Sequence, residues 1–115
     1  MSLYHFEIGF PPLALAQVKP LFTLRPTAHA ENEAWDDKRG VIRLPKIFHP
    51  AVAKIIELET DVAGRVVKIL AREKHDDKTD VVYAVAVADK AIKTAWLQDK
   101  TDLHRTLDRS KYNRP

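Results

Sequence analysis

Hydrophobic and polar positions change rhythm halfway along the chain. From Lys54 onward, short apolar runs follow one another at close spacing, separated by polar turns. KIIELET (Lys54–Thr60), RVVKILARE (Arg65–Glu73), DVVYAVAVA (Asp80–Ala88) and IKTAWL (Ile92–Leu97) have the length, alternation or Val/Ile content of strands. TDVAG with Gly64, then KHDDKT, then ADKA join them. Connections this short predict an antiparallel meander of four strands. The first half is cut into pieces by Pro11, Pro12, Pro20, Pro26, Pro45 and Pro50. There Leu3–Gly9 alternates weakly, as a first strand stopped by Pro11-Pro12, and Val41–Leu44 reads as a short strand before Pro45. Thr27 can cap a helix through its hydroxyl. AHAENEAWDDKRG then predicts a helix from about Ala28 to Arg39, with Lys38 and Arg39 in its last turn and Gly40 as its stop. One early helix packed on a four-stranded meander is an α+β fold.

Period-two alternation also assigns faces. Val67, Ile69 and Ala71 form the apolar side of their strand and should meet the helix. Val66, Lys68, Leu70 and Arg72 form the more open side. Glu57 and Glu59 share one face of the preceding strand, opposite Ile56 and Leu58, and Thr94 and Trp96 share a face of the last strand.

Length and composition narrow the class. A chain of 115 residues is the size of one domain, 1–115, and 45% apolar with 30% charged residues supports a core. No apolar run approaches the roughly 18 residues of a membrane span. MSLYHFEIGF lacks the basic start and apolar stretch of a secretory signal. The absence of cysteine removes disulfides and thiolate metal sites and fits a cytoplasmic protein. The net charge is +3. Residues 1–88 balance twelve Lys/Arg against twelve Asp/Glu, whereas residues 89–115 hold seven against four, so the whole excess lies in the last quarter. A localised basic segment points toward a polyanion more than a mild global charge does. The plainer account is a solvated, charged end.

That segment includes DKTDLHRTLDRSKY, Asp99–Tyr112. Leu103 and Leu107 stand at helical spacing, with Asp102 placed to cap a short helix. An ordered C-terminal segment folded back on the sheet is the expectation.

Several chemistries are excluded. With three glycines in all, there is no phosphate-cradling glycine loop, and no GxSxG elbow occurs. Asp99, Asp102, His104 and Asp108 offer oxygen and imidazole ligands, but their spacing is neither HExxH nor that of an EF-hand, so no metal and no cofactor are expected. Two histidines remain of interest. His29 falls in the first helical turn, where the positive end of the dipole favours the neutral, proton-accepting form. His104 lies in the basic tail. Trp96 and Tyr112 can stack bases, while Arg72, Lys93 and Arg105 can hold phosphates. The plainer account makes Trp96 core, His29 a surface side chain, and Glu57, Glu59, Lys68 and Arg72 a cross-strand charge network on a wet face.

The helix start carrying HA at His29-Ala30, the meander after it, and KTAW at Lys93–Trp96 resemble small RNase-like domains of the RelE, colicin D and EndoU type, often toxin- or phage-encoded. The resemblance spans roughly residues 24–97. It implies that His29, Thr94 and Trp96 line a site and that Arg72 contacts phosphate. The basic tail lies outside that pattern, and the chain is less basic than most ribosome-dependent toxins. The first functional expectation is therefore an RNA-binding or RNA-cleaving domain working by 2′-hydroxyl attack, with His29, His104 and Thr94 as reacting groups. The second is a non-catalytic interaction module that docks a protein partner or a second copy of itself through exposed strand edges.

Overall fold

The computed structural model describes residues 2–37 and 40–101. In chain order the elements are β1 (Ser2–His5), α1 (Pro12–Gln17), β2 (Phe22–Thr23), β3 (Arg25–Pro26), α2 (Ala28–Trp35), β4 (Ile47–Phe48), β5 (Lys54–Thr60), β6 (Val66–Lys74), β7 (Thr79–Ala86) and β8 (Ala91–Asp99). The expected meander is present as β5 to β8, every neighbouring pair antiparallel. It is the centre of a larger sheet. β1 adds antiparallel to β5, and β3 adds parallel to β8, giving six strands in the order β1-β5-β6-β7-β8-β3. β2 and β4 form a separate small ribbon. The fold is thus α+β, but with two helices and a mixed six-stranded sheet instead of one helix and four strands.

Each departure has a local cause. Pro11-Pro12 was expected only to break the chain. Pro12 instead occupies the first turn of α1, where a missing N–H costs nothing and a fixed φ suits the helix. Arg25-Pro26 forms a strand because Pro is tolerated at a sheet edge and the Arg25 N–H still reaches the Lys90 carbonyl at 3.1 Å. α2 begins where expected, with the Thr27 hydroxyl accepting from the Ala30 N–H at 3.1 Å. It ends at Trp35, well short of Arg39. The Ala34 carbonyl accepts from the Ile42 N–H at 2.8 Å, so the chain after α2 turns back and Ile42 enters the core. Val41–Leu44 is consequently loop, not strand.

The main core lies between the helices and one face of the sheet. Ala14 and Val18, from α1 and the residue capping it, and Ala30 and Ala34 of α2 pack with Leu58, Ile69, Ala71, Val81, Tyr83, Val85, Ile92 and Ala95. Ile69 and Ala71, from the expected apolar side of β6, thus share one buried cluster with Ala30 and Ala34, while α2 itself lies along β8 and β3. Tyr83 is fully buried and donates its hydroxyl to Glu73 Oε1 at 2.6 Å. Burial, then that carboxylate, pushes the phenol well above its ordinary range.

The opposite face is less open than alternation suggests. Ile56, Leu70, Val82 and Ala84 form a second buried cluster, with Phe6 and Trp96 packed against it. A bulge between Ile55 and Glu57 turns Ile56 to this side, away from Leu58. Arg72, expected on an open face, is 7% exposed. Among the described residues, no helix is long and apolar enough to cross a membrane.

Gln17 ties α1 to the sheet. Its Oε1 accepts from the Val66 N–H at 2.8 Å and its Nε2 donates to the Gly64 carbonyl at 3.0 Å. Gln17→Ala removes both, and a net hydrogen bond contributes about 0.5–1.5 kcal/mol. The expected outcome is a lower urea midpoint at unchanged slope, with the exposed Lys19→Ala shifting stability by less than about 0.5 kcal/mol.

Candidate functional site

Strand β8 has β3 beside it only at Ala91 and Ile92. From there the edge is taken over by α2. Thr27 begins the handover: its N–H and its hydroxyl both donate to the Ile92 carbonyl at 3.0 Å. A bulge in β8 follows between Ile92 and Thr94. Thr94 is fully buried and donates its hydroxyl to Glu33 Oε1 of α2, and the same oxygen accepts from the Ala95 N–H at 3.4 Å.

On the other side of this carboxylate stands His29, one helical turn earlier. Its Nε2 faces inward, 3.3 Å from Glu33 Oε1, close enough for an ion pair but without completing a hydrogen bond. The imidazole side chain is 41% exposed and that of Glu33 24%, so the pair can be reached from solvent. Both line an open cleft of about 350 Å³ together with Asn32, Asp36, Asp37 and Trp96. The Trp96 indole N–H donates to Gln98 Oε1 at 2.9 Å, which fixes the ring beside the cleft.

Three of the expected site residues thus converge: His29, Thr94 and Trp96. The fourth member, Glu33, was missed. Its signal was present, since His29 and Glu33 are four apart in a segment expected to be helical and so share a face. Thr94 holds a different position from the one expected. It is sealed from solvent and orders the carboxylate, which leaves it no route to a substrate. Lys93 lies outside this constellation, with its ammonium 3.5 Å from Asp89. His104, Arg105 and Tyr112 lie outside the described residues, as does the expected C-terminal helix.

Arg72 belongs to a second cavity, on the sheet face away from the helices. It is about 280 Å³, lined by Val52, Lys54, Ile56, Arg72, Glu73, Lys74, Asp80 and Lys100. Arg72 Nε donates to Asp80 Oδ2 at 2.7 Å, and its terminal nitrogen donates to the Asp99 carbonyl at 2.7 Å. Lys100 Nζ reaches Asp80 Oδ1 at 2.9 Å. Burial opposes the charge on Asp80, but Lys100 and Arg72 together outweigh it and hold the carboxyl below its usual range. Sequence spacing gave no sign of this network, because it needs the register of three strands.

Among the described residues, no group of three His, Asp or Glu side chains is arranged to hold a metal. Comparison with known families, with curated proteins and with solved structures finds no match to this chain.

Two outcomes follow from these contacts. Thr94→Val deprives the Glu33 carboxylate of its hydroxyl donor and should cost about 1–3 kcal/mol in urea unfolding, whereas Thr94→Ser should retain most of that. Asp80→Asn weakens two charge-assisted bonds and should cost about 1.5–3 kcal/mol at pH 7. The Asp80 carboxyl is depressed in the folded state. Its contribution is therefore complete above its unfolded value of about 4 and fades as pH falls through the lower folded value. The stability gap between wild type and Asp80→Asn should accordingly close as the pH of the urea titration is lowered below about 4.

Proposed function

We propose that the chain is an RNA-binding and RNA-cleaving domain whose acid–base pair is His29 and Glu33. The observation that carries this reading is the convergence of His29, Glu33 and Trp96, from α2 and β8, around one cleft, with the buried Thr94 hydroxyl holding Glu33 from beneath. Glu33 is anchored by Thr94 and Ala95 and lies against the Nε2 side of His29. A hydrogen bond completed from Nε2 to that carboxylate would keep the proton on Nε2 and turn Nδ1 toward a substrate as the accepting nitrogen. A ribose 2′-hydroxyl brought to Nδ1 would lose its proton there as its oxygen attacks the adjacent phosphorus, and the 5′-oxygen of the next nucleotide would leave. Trp96 offers a stacking face for a base beside that position. The role of Thr94 in this reading is to position Glu33.

Asp36 and Asp37 also line the cleft, and their charge repels phosphate. That observation favours a second reading, in which the cleft takes a basic segment of a protein partner and no reaction occurs.

Incubation of the purified chain with single-stranded and structured RNA in EDTA separates the two. The cleavage reading expects products ending in a 2′,3′-cyclic phosphate, and a loss of about 10²–10⁴-fold in rate for His29→Ala. Glu33→Gln should lower the rate while Thr94→Ser largely preserves it. Absence of cleavage by the wild type, or cleavage that persists undiminished in His29→Ala, would overturn this reading and leave the docking one.

A further inference from the structure

The second cavity has a composition of its own. Four cations line it, Lys54, Arg72, Lys74 and Lys100, against two carboxylates, Glu73 and Asp80. Both carboxylates are occupied: Glu73 accepts the Tyr83 hydroxyl, and Asp80 holds Arg72 and Lys100. Arg72 and Lys100 are thereby fixed in place, at a cost already met within the fold. Lys54 and Lys74 are differently placed. Lys54 Nζ sits 4.1 Å from the centre of the Phe6 ring, and the Lys74 ion pair is a long one, 3.7 Å, to an Asp77 that is 98% exposed. An exposed pair of that length contributes little, and a ring face leaves the Lys54 charge unneutralised, so both ammonium groups can turn to an added anion.

The size also discriminates. A volume of about 280 Å³ falls at the lower limit of the roughly 300–1,000 Å³ typical of pockets for drug-sized ligands. It suits a small charged group more than a large apolar one. The strand register then sets what lies beside it. Lys54 pairs with Arg72, Arg72 with Val82, and Val82 with Trp96, so the cavity and the stacking tryptophan stand in one row across four strands. At about 4.8 Å per strand the row spans roughly 14 Å.

We infer that this cavity is a phosphate-binding site, with Lys54 and Lys74 as the recruiting cations and the Asp80 network holding Arg72 and Lys100 ready beside them. Its ligand is a phosphate group, carried either by a single-stranded nucleic acid or by a small phosphate compound. The inference stands on the cavity's own charges and does not require cleavage at His29. If RNA is the ligand, the row places a bound backbone phosphate within reach of a base stacked on Trp96.

The test uses the full chain and two probes. Inorganic phosphate is titrated by calorimetry, and a 2′-O-methyl RNA oligonucleotide by fluorescence anisotropy. The second probe cannot react at its 2′-oxygen, so its binding is read separately from any cleavage. The variant is Lys54→Gln with Lys74→Gln; both side chains are exposed, and circular dichroism confirms that the fold is kept. Binding of both probes at low salt, weakened at least tenfold in the variant, with the log–log salt slope for the oligonucleotide shallower by about 1.4, supports the site on a nucleic acid. Binding of phosphate alone, weakened tenfold in the variant, supports the site and assigns it to a small phosphate compound. Failure of the wild type to bind either probe, or binding that the variant leaves unchanged, overturns the inference.

Discussion

Past Ile92 the outer side of β8 faces no strand among the described residues, and its backbone groups there still need partners. α2 meets that need. Thr27 donates to the Ile92 carbonyl while capping the helix, and Glu33 accepts from the Ala95 N–H. An open edge would otherwise invite pairing with another chain. The same contacts fix the helix to the sheet and bring Ala30 and Ala34 into the main core. His29 stands one turn before Glu33 on the same helix, and the cleft lies where α2 passes Trp96 of β8. Stability and the candidate chemistry therefore depend on one carboxylate. Glu33 accepts from Thr94 and Ala95 and also approaches His29, so the group that seals the edge is the group that would orient a base.

Bulges give the second face its character. Strict alternation along β5 would keep Ile56 and Leu58 together. The bulge between Ile55 and Glu57 separates them, and Ile56 joins Leu70, Val82 and Ala84. Burying Ile56, Leu70 and Val82 stabilises by about 1.5–3 kcal/mol each, so the outer face contributes a real second core. It also raises the cost of leaving Arg72 uncompensated. Asp80, one strand away, answers that charge and recruits Lys100 from the end of β8. Much of a buried ion pair's attraction is offset by lost hydration. What the network clearly supplies is placement: it keeps two cations beside one small cavity.

The legible part of the fold was the part held by local pattern. The expected β5 matches the observed strand in both bounds, and β6, β7 and β8 differ from expectation by one or two residues at their ends. Their apolar runs are strong because both faces of the central strands meet buried clusters. The Thr27 cap and the start of α2 were legible for a similar reason, since capping needs only neighbours in sequence. The additions to the sheet were not. β3 is two residues long and parallel, and no local signal marks a strand whose partner begins more than sixty residues later. α1 was hidden by reading Pro12 as a break when it serves as a helix start.

The same division holds at the candidate site. The sequence by itself determined that His29 would open a helix, that Thr94 and Trp96 would belong to a last strand, and that Glu33 would lie one turn from His29. The Thr27 cap and local periodicity suffice for these. Only the tertiary structure decided that the helix lies along β8, that the Thr94 hydroxyl is spent on Glu33, and that Arg72 serves another cavity. Those outcomes depend on strand order, register and two bulges, and each is set by long-range pairing that no window of the sequence contains.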